Sequence, residues 1–526
     1  MTDLVIAPLL VALATAVLSL FVRPFERLRA GVSLAGVAAY AVVVAALASE
    51  VLAGGTMTYQ VGDWPAPFGI TLVADGLSAF MLALTALVAV PTAIAGLRQV
   101  SERAQRVAYH PLFFFMLVGV SGAFLTGDVF NLFVWFEVLL MSSYVLVVIY
   151  GDPETTGATL RYVALNLVGS ALMLVSIGGL YAVLGTLNMA DMSRRLAGNA
   201  GVEPAAVVPA LGLSAILFAV FALKAGVVPF HFWVPEVYRA APTPVTAMLA
   251  GVVKKVGVYA MIRLVFTVFG GAAIDVSLPG VTGDALGFYG PVLFALAVAS
   301  VALGGVGAVG RDDLPGLLAY SSISQVGFIL LPVAIAATAG ESVQVLALTA
   351  ALVYALNHAV AKSMLFLVVG VIEDAVETVD MRSLGGIAGN APGLGAAFFV
   401  GSLALVGIPP LSGFFGKLLI FDAAVQADAL LALAAALGGA IFTIAYTSRA
   451  WNRAFWGDAP LSVEGMAPDR VVVGIVLLMA GALVVIGVGF DPVYRFAEAG
   501  AHAALDRQGY VDAVRFANAT ATGGGH

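Results

Sequence analysis

All five lysines of this 526-residue chain lie inside long apolar segments, whereas nearly all of its nineteen arginines lie between such segments. Positive charge needed only for solubility or membrane topology would fall on both residue types alike. A buried lysine can lose its proton, but arginine stays protonated in proteins. The division therefore indicates proton transfer inside a hydrophobic interior. The candidate carriers are Lys224, Lys254, Lys255, Lys362 and Lys417.

Glu137 adds an acidic group to this set. It lies in VFNLFVWFEVLLMSSYVLV and has no other acidic residue within two helical turns on either side. We expect it to pair with Lys224 and keep that lysine protonated, so that separating the pair sends the proton onward. A static ion pair that only ties two helices together is the alternative reading, and such pairs are weak evidence for stability.

Lys254 and Lys255 are consecutive, so on a helix they point about 100° apart and can hardly face the same pathway. We favour Lys255 as the functional group, because it shares a helical stripe with Tyr259. Lys254 is a secondary candidate for the same role.

His358 and Lys362 are four residues apart and share one face of a predicted helix. Imidazole titrates near neutrality, so we expect His358 to transfer protons between lysines, although a lone membrane histidine is often only a packing residue. The run SSISQ contains two further secondary candidates, Ser322 and Ser324. These serines either hold connecting waters or only hydrogen-bond helices together.

Lys417 follows a proline-rich segment by about two helical turns, and we expect it to be a terminal proton donor or acceptor. Asp422 is the one acid near its depth. His231 and Asp75 are secondary candidates whose positions are more typical of structural groups or of groups at the entrance of a pathway.

These ionisable groups are costly in lipid. Five lysines and one glutamate, all charged and bare at the bilayer centre, would cost roughly 15–20 kcal/mol. A fold has a net stability of only about 5–15 kcal/mol. Pairing, neutralisation or water must relieve this cost, and each of these suits a proton-conducting interior better than a scaffold whose polar residues only tie helices together.

The elements that position these residues are predicted membrane-spanning helices. The chain is 61% hydrophobic and 10% charged, against about 45–50% and about 25% in ordinary soluble domains. Apolar runs of about 20 residues recur along its length, which predicts an all-α polytopic membrane protein with about fourteen spans. The spans are 3–22, 32–50, 72–97, 111–127, 129–150, 161–186, 209–233, 243–268, 287–308, 316–337, 343–370, 393–425, 428–450 and 470–490.

The loop arginines predict the orientation of these spans. With the N-terminus outside, thirteen arginines fall on the inner side and six on the outer side or in the tail. Cytoplasmic loops of membrane proteins carry an excess of basic residues. We therefore expect both termini on the extracytoplasmic side.

Two spans contain helix breakers, span 7 around Pro229 and Pro235, and span 12 around Pro409 and Pro410. Backbone N–H and C=O groups that lose their helical partners inside a membrane must hydrogen-bond to protein or water, so broken helices usually line ion pathways. A kink that serves only packing is the alternative. Breaks five spans apart predict two inverted five-helix repeats, spans 4–8 and 9–13. The predicted regions are 1–110 with three spans, the repeats 111–270 and 285–455, and 456–526 with the last span and a tail.

Cysteine is absent from the chain, which excludes disulfides, thiolate nucleophiles and Cys-bound iron–sulfur clusters. The start of the chain, MTDLVIAPLL, has no basic region before its apolar run, so we expect no cleaved signal peptide. We expect no covalent chemistry, no cofactor, no metal and no nucleic acid.

The quoted segments resemble the antiporter-like subunit family shared by respiratory complex I, membrane-bound hydrogenases and Mrp-type multisubunit cation/proton antiporters. The resemblance covers nearly the whole chain and is carried by the Glu137 and Lys255 segments together with KAGVVPFHFWVPEVYRAAPTPV, LLAYSSISQVGF, NHAVAKSMLFL and GIPPLSGFFGK. It implies fourteen helices in two inverted repeats. It also implies a water-joined central chain, formed by Glu137, Lys224, Lys255, His358 and Lys417.

Within that family, the Glu137 segment and the chain length are most similar to the Mrp-type branch. Lys417 stands where one complex I homologue has a glutamate, which argues against that subunit. The resemblance implies a proton-translocating subunit of a hetero-oligomeric Na⁺/H⁺ antiporter in a prokaryotic cell membrane, with other membrane subunits as partners. A proton-pumping subunit of complex I or of a hydrogenase is the alternative.

Overall fold

The computed structural model describes residues 2–151, 153–198, 207–272 and 285–516, which are mostly helical. Within these ranges, eleven helices are long and apolar enough to cross a membrane, judged by length and composition. The predicted class, an all-α polytopic membrane protein, is confirmed. The number of crossings, the inverted repeats and the four region boundaries stay predictions.

Each of the fourteen predicted spans overlaps at least one helix of the structure. The first half contains α1 (Ala7–Phe21), α2 (Glu26–Gly54), α3 (Gly76–Gln99), α4 (Glu102–Leu125), α5 (Val129–Val147), α6 (Pro153–Leu184), α7 (Val207–Ala225), α8 (Trp233–Ala240) and α9 (Thr243–Val268). The second half contains α10 (Ala285–Val309), α11 (Leu314–Thr338), α12 (Glu341–Val376), α13 (Pro392–Val406), α14 (Ser412–Gln426), α15 (Leu430–Phe455), α16 (Arg470–Val488) and α17 (Phe490–Leu505).

Smaller elements connect these helices. An antiparallel hairpin between α2 and α3 pairs β1 (Met57–Gln60) with β2 (Thr71–Ala74), Met57 opposite Ala74. Short helices are Met189–Leu196, Ile387–Asn390, Leu461–Glu464 and Arg507–Asp512. Residues 517–526 of the predicted tail lie outside the described residues.

Aspartate side chains start several of the long helices. The carboxylates of Asp75, Asp128, Asp313 and Asp469 accept backbone N–H groups in the first turns of α3, α5, α11 and α16 respectively. Such caps satisfy donors that have no partner within the helix. They fix where four of the long helices begin, including α5, which carries Glu137.

Both predicted helix breaks are confirmed. Span 7 divides into α7 and α8 around Gly226, whose φ of +64° suits glycine, and span 12 divides into α13 and α14 around Gly407, whose φ is +92°. Pro235 lies inside the first turn of α8, where proline is tolerated, so Pro229 alone lies in the first break. The freed N–H of Val228 donates to Ser300 Oγ at 2.9 Å. Protein groups therefore satisfy backbone at the break, as a membrane interior requires.

The helices that carry the central lysines form the core. In the most apolar 18-residue stretch of α9 every residue is buried inside the protein, and in that of α11 94% of the residues are buried. In α2 and α15 the buried share of the corresponding stretch is 33%. Segment α12 buries every residue from 347 to 372. The lysines of α9 and α12 consequently face protein rather than lipid.

Two of the described arginines are buried in the protein interior. Arg29 and Arg263 are each 1% exposed and lie within α2 and α9. Arg29 Nη1 donates to the carbonyl of Arg23 at 2.7 Å, and Arg263 forms a buried ion pair with Asp75. A charged group at such depth needs a fixed partner, and both arginines have one.

Candidate functional site

Glu137 and Lys224 are held by α6 instead of by each other. Lys224 Nζ donates to Asn166 Oδ1 at 2.7 Å, and Glu137 accepts a hydrogen bond from Ser170 Oγ. Within the part of the chain that the structure describes, no ion pair within 4.0 Å joins Glu137 to Lys224, so their pairing through charge stays a prediction. The two charges still interact electrostatically. Asn166 and Ser170 lie one turn apart on α6, so one helix face positions both charges.

The Asn166 side chain is itself oriented. Its Nδ2 donates to the carbonyl of Tyr162 at 2.8 Å, which leaves Oδ1 directed at the lysine. Asn166 is 1% exposed, and Lys224 is 5% exposed. A neutral acceptor in this position solvates the ammonium without adding a second negative charge.

We predict that Ser170→Ala slows ion exchange by about tenfold or more, because a hydrogen bond to a charged group is worth about 1.5–3 kcal/mol. Loss of the hydroxyl frees the Glu137 carboxylate to pair with Lys224 and retain its proton. The matched control is Ser176→Ala on the same helix, whose hydroxyl donates only to the carbonyl of Leu172 at 2.9 Å. Equal exchange rates in the two variants would contradict the role of Ser170.

Lys255, His358 and Lys362 come together where α9 meets α12. Lys255 Nζ lies 2.6 Å from His358 Nδ1 and donates to the carbonyl of Ala250 at 2.7 Å. Lys362 lies one turn from His358 and donates to Ser321 Oγ and, at 3.1 Å, to the carbonyl of Leu318. The structure thus brings together three of the residues that the sequence singled out.

The three serines of the SSISQ run in α11 have different surroundings. Ser321 contacts Lys362, although the sequence pointed to Ser322 and Ser324. Ser324 Oγ donates to the carbonyl of Val301 at 3.0 Å, which ties α11 to α10. The buried Ser322 side chain interacts with the Tyr238 side chain.

A polar cluster lies between Lys362 and the second break. Gln325 Nε2 donates to Tyr446 Oη at 2.7 Å and to Thr443 Oγ1 at 3.1 Å, and Gln325 accepts from Tyr354 Oη. The cluster joins α11, α12 and α15 by side-chain hydrogen bonds. Each member is completely buried, and the Tyr354 side chain packs against Gly416 of α14, next to Lys417.

Lys417 binds the backbone of the second break. Its Nζ donates to the carbonyl of Val406 at 3.1 Å and lies 4.7 Å from the centre of the Phe328 ring. Asp422, the acid considered as its partner, is exposed and accepts from Gln426 at 3.0 Å. Positions five apart on a helix point about 140° apart, which is why the two side chains do not meet.

Asp75 has a structural environment. Its carboxylate caps α3 through Ser78 N–H at 2.9 Å and pairs with Arg263 Nη1 at 2.6 Å, with both side chains 1% exposed. Arg263 Nε donates to Tyr259 Oη at 3.3 Å, and Tyr259 donates to the carbonyl of Phe124 at 2.8 Å. This network ties α3, α4 and α9 together.

Lys254 and His231 lie beside the first break. Lys254 points away from Lys255, toward Gly226, as the helical spacing predicted. His231 lies within the break, where its ring stacks on Phe232 with centroids 4.5 Å apart. Both side chains are therefore separate from the contact between Lys255 and His358.

Several groups of the site were not found from the sequence. Asn166, Ser170, Gln325, Tyr354 and Tyr446 touch the candidate groups or one another, but their residue types are ordinary in membrane helices. Only their fixed positions between helices distinguish them. The SSISQ run did point to the Gln325 region, so part of that signal was present.

Known proteins are similar to this chain along its whole length. The family model described as NADH:quinone oxidoreductase/Mrp antiporter, TM, matches residues 126–443, which include all five lysines. The D-type subunit of the Na⁺/H⁺ antiporter of Alkalihalophilus pseudofirmus is 32% identical over 98% of this chain and 99% of its own length. The D-type subunit of a probable K⁺/H⁺ antiporter of Rhizobium meliloti is 34% identical over 95% of this chain and 96% of its own.

Solved structures share the fold. A chain of the Mrp complex from Dietzia sp. DQ12-45-1b has a TM-score of 0.86 at 26% identity and covers 97% of this chain and 99% of its own length. A chain of the membrane-bound sulfane sulfur reductase, an archaeal respiratory membrane complex, has a TM-score of 0.83 at 26% identity, covering 98% and 99%. With the match of the family model and the full-length relatives, these likenesses confirm the resemblance seen in the sequence. The chain belongs to the NADH:quinone oxidoreductase/Mrp antiporter transmembrane family.

Proposed function

We propose that this chain is the proton-translocating membrane subunit of a hetero-oligomeric Na⁺/H⁺ antiporter. The observation that carries the proposal is a series of four buried lysines on four helices, each with a neutral hydrogen-bond partner: Lys224, Lys255, Lys362 and Lys417. Such neutral partners stabilise the protonated amine less strongly than a carboxylate would, so the proton can leave. The names of the full-length antiporter relatives support antiport as the coupled process.

The relay starts with the pair of groups on α6. While Glu137 is held by Ser170, its charge acts on Lys224 from a distance, and a small displacement of either side chain changes that attraction. A stronger attraction holds the Lys224 proton, and a weaker one releases it. Opening and closing this contact is the proposed coupling step.

The proton then moves through the central groups. Lys255 and His358 are within hydrogen-bond distance, so a proton on one nitrogen can transfer to the other directly. Lys362, one turn away, feels each change of charge, since unit charges a few ångströms apart interact strongly in a medium of low dielectric constant. The polar cluster around Gln325 leads on toward Lys417, with water completing the chain.

The proposed partners are other membrane subunits, because the similar Dietzia chain belongs to an Mrp complex. The proposed substrates are protons and Na⁺, with the lipid bilayer of a prokaryotic cell membrane as surroundings. Both termini are proposed to lie on the extracytoplasmic side, on the strength of the arginine distribution. No covalent step and no cofactor belong to this mechanism.

The test is cation-dependent proton movement in membrane vesicles energised by an unrelated pump. Vesicles with the intact complex are compared with vesicles that contain a Lys224→Ala complex. We expect Na⁺ to collapse the pH gradient only with the intact lysine. The proposal fails if both complexes respond equally, or if neither Na⁺ nor K⁺ has any effect.

The second candidate is a proton-pumping subunit of a redox-driven complex. The likeness to a chain of an archaeal respiratory complex favours it. The same lysines would serve, and electron transfer would occur in other chains. Proton uptake driven by a redox substrate, without any response to Na⁺ or K⁺, would support this candidate over the antiporter.

A further inference from the structure

Lys254 is the buried lysine for which the relay above has no use. It is completely buried, and its Nζ has no hydrogen-bond partner among the described residues. A bare ammonium inside a membrane protein is costly, so the group must be neutral or hydrated. Either state makes it an acceptor or a donor of protons.

The Lys254 side chain lies against the break between α7 and α8. A Cβ atom on Gly226 would lie 3.1 Å from Lys254 Cε and 3.3 Å from Nζ. A side chain at position 226 would therefore crowd the ammonium, and the φ of +64° also favours glycine there. Lys255, on the neighbouring face of α9, points instead to His358.

His231 connects the break to the protein surface. Its side chain interacts with the backbone of Pro229 in the break. The centre of its ring lies 4.5 Å from that of Phe232 and 6.5 Å from that of Tyr320. Phe232 and Tyr320 line an open cavity of about 510 Å³ together with Arg161 and Glu236. His231 and Lys254 interact electrostatically, so they are near neighbours.

Lys254 also interacts with the central groups. Its charge acts on Lys255, His358 and Lys362. Buried nitrogens of Lys254 and His358 that have no hydrogen-bond partner among the described residues therefore occur in one region of the protein. Buried polar atoms without protein partners are commonly satisfied by water.

We propose that Lys254 is a proton-uptake residue that links the cavity beside His231 to the central lysines. A proton from water or from the His231 imidazolium bonds to Lys254 Nζ. That N–H bond then breaks as the amine of Lys255 or Lys362, or an intervening water, accepts the proton. The inference rests on the proposed function and adds the side from which the central cluster is filled.

The experiment measures Na⁺-dependent proton exchange by the assembled complex in vesicles, with Lys254→Met, Lys254→Arg and His231→Gln. Methionine keeps the length of the side chain without charge, and arginine keeps the charge but does not release its proton. We expect both Lys254 variants to lose about tenfold or more of the exchange rate, by the usual scale of a lost proton-transfer group. His231→Gln should also slow exchange.

Other results overturn the inference. Normal exchange in Lys254→Met means that the amine is only a packing group, and normal exchange in Lys254→Arg alone means that only its charge is needed. If neither Lys254 variant assembles, normal exchange in His231→Gln overturns the uptake route, and slowed exchange supports it. Lys224→Ala is measured in parallel. If Lys224→Ala abolishes exchange and Lys254→Met does not, only this inference fails. If Lys224→Ala does not abolish exchange, the proposed function fails.

Discussion

Lys255→Met is expected to reduce cation-dependent proton exchange about a hundredfold while leaving the complex assembled. Lys255 Nζ is the nitrogen that lies within 2.6 Å of His358, at the contact between α9 and α12. Methionine fills a similar volume but carries no proton. Proton flux in vesicles, normalised to the amount of assembled complex, measures the effect.

The matched control for Lys255→Met is Thr349→Val. Thr349 is a completely buried residue of α12 whose hydroxyl donates only to the carbonyl of Val345, at 2.7 Å in the same helix. We expect its exchange rate to stay near that of the wild-type complex. A loss in Lys255→Met no larger than the loss in Thr349→Val would remove Lys255 from the proton path.

Arg263→Met is expected to destabilise the protein by about 3–5 kcal/mol, because it leaves the Asp75 carboxylate buried without its ion-pair partner. Tyr259 also loses a contact with the guanidinium. The drop in thermal stability of the detergent-solubilised complex measures this effect.

A second variant separates charge from packing at this site. Asp75→Leu combined with Arg263→Met removes both charges, and replacing a buried pair by apolar residues is often nearly neutral. We therefore expect the double variant to regain much of the stability lost in Arg263→Met. A double variant less stable than Arg263→Met would show that the ion pair is not the source of the loss.

The positions of the main chemical groups followed from the sequence. The spacing of His358 and Lys362 placed both on one face of α12, and the angle between Lys254 and Lys255 correctly separated their surroundings. Proline and glycine patterns located both helix breaks, since these residues act on the backbone locally. Local rules therefore predicted what local geometry determines.

Partners across helices could not be predicted in this way. The sequence pairs Glu137 with Lys224, but each side chain hydrogen-bonds a residue of α6 instead. Ser170 is 33 positions from Glu137, and Asn166 is 58 positions from Lys224. The loop pattern assigns Arg263 to the outer side, whereas Asp75, distant in sequence, holds it in the core. The hydropathy of a span indicates how much of the span is buried on average. It does not indicate which polar group of another helix faces a given residue. Only the packed helices supply that information.

The most direct test of the account asks whether the buried lysines must release protons or only carry positive charge. The purified complex is placed in proteoliposomes, and proton flux driven by a Na⁺ gradient is measured for the wild type and for Lys224→Arg, Lys255→Arg and Lys417→Arg. Each arginine keeps the charge and does not deprotonate. The account predicts Na⁺-dependent flux from the wild type and little from any variant that assembles. Flux near the wild-type rate in the arginine variants would contradict it.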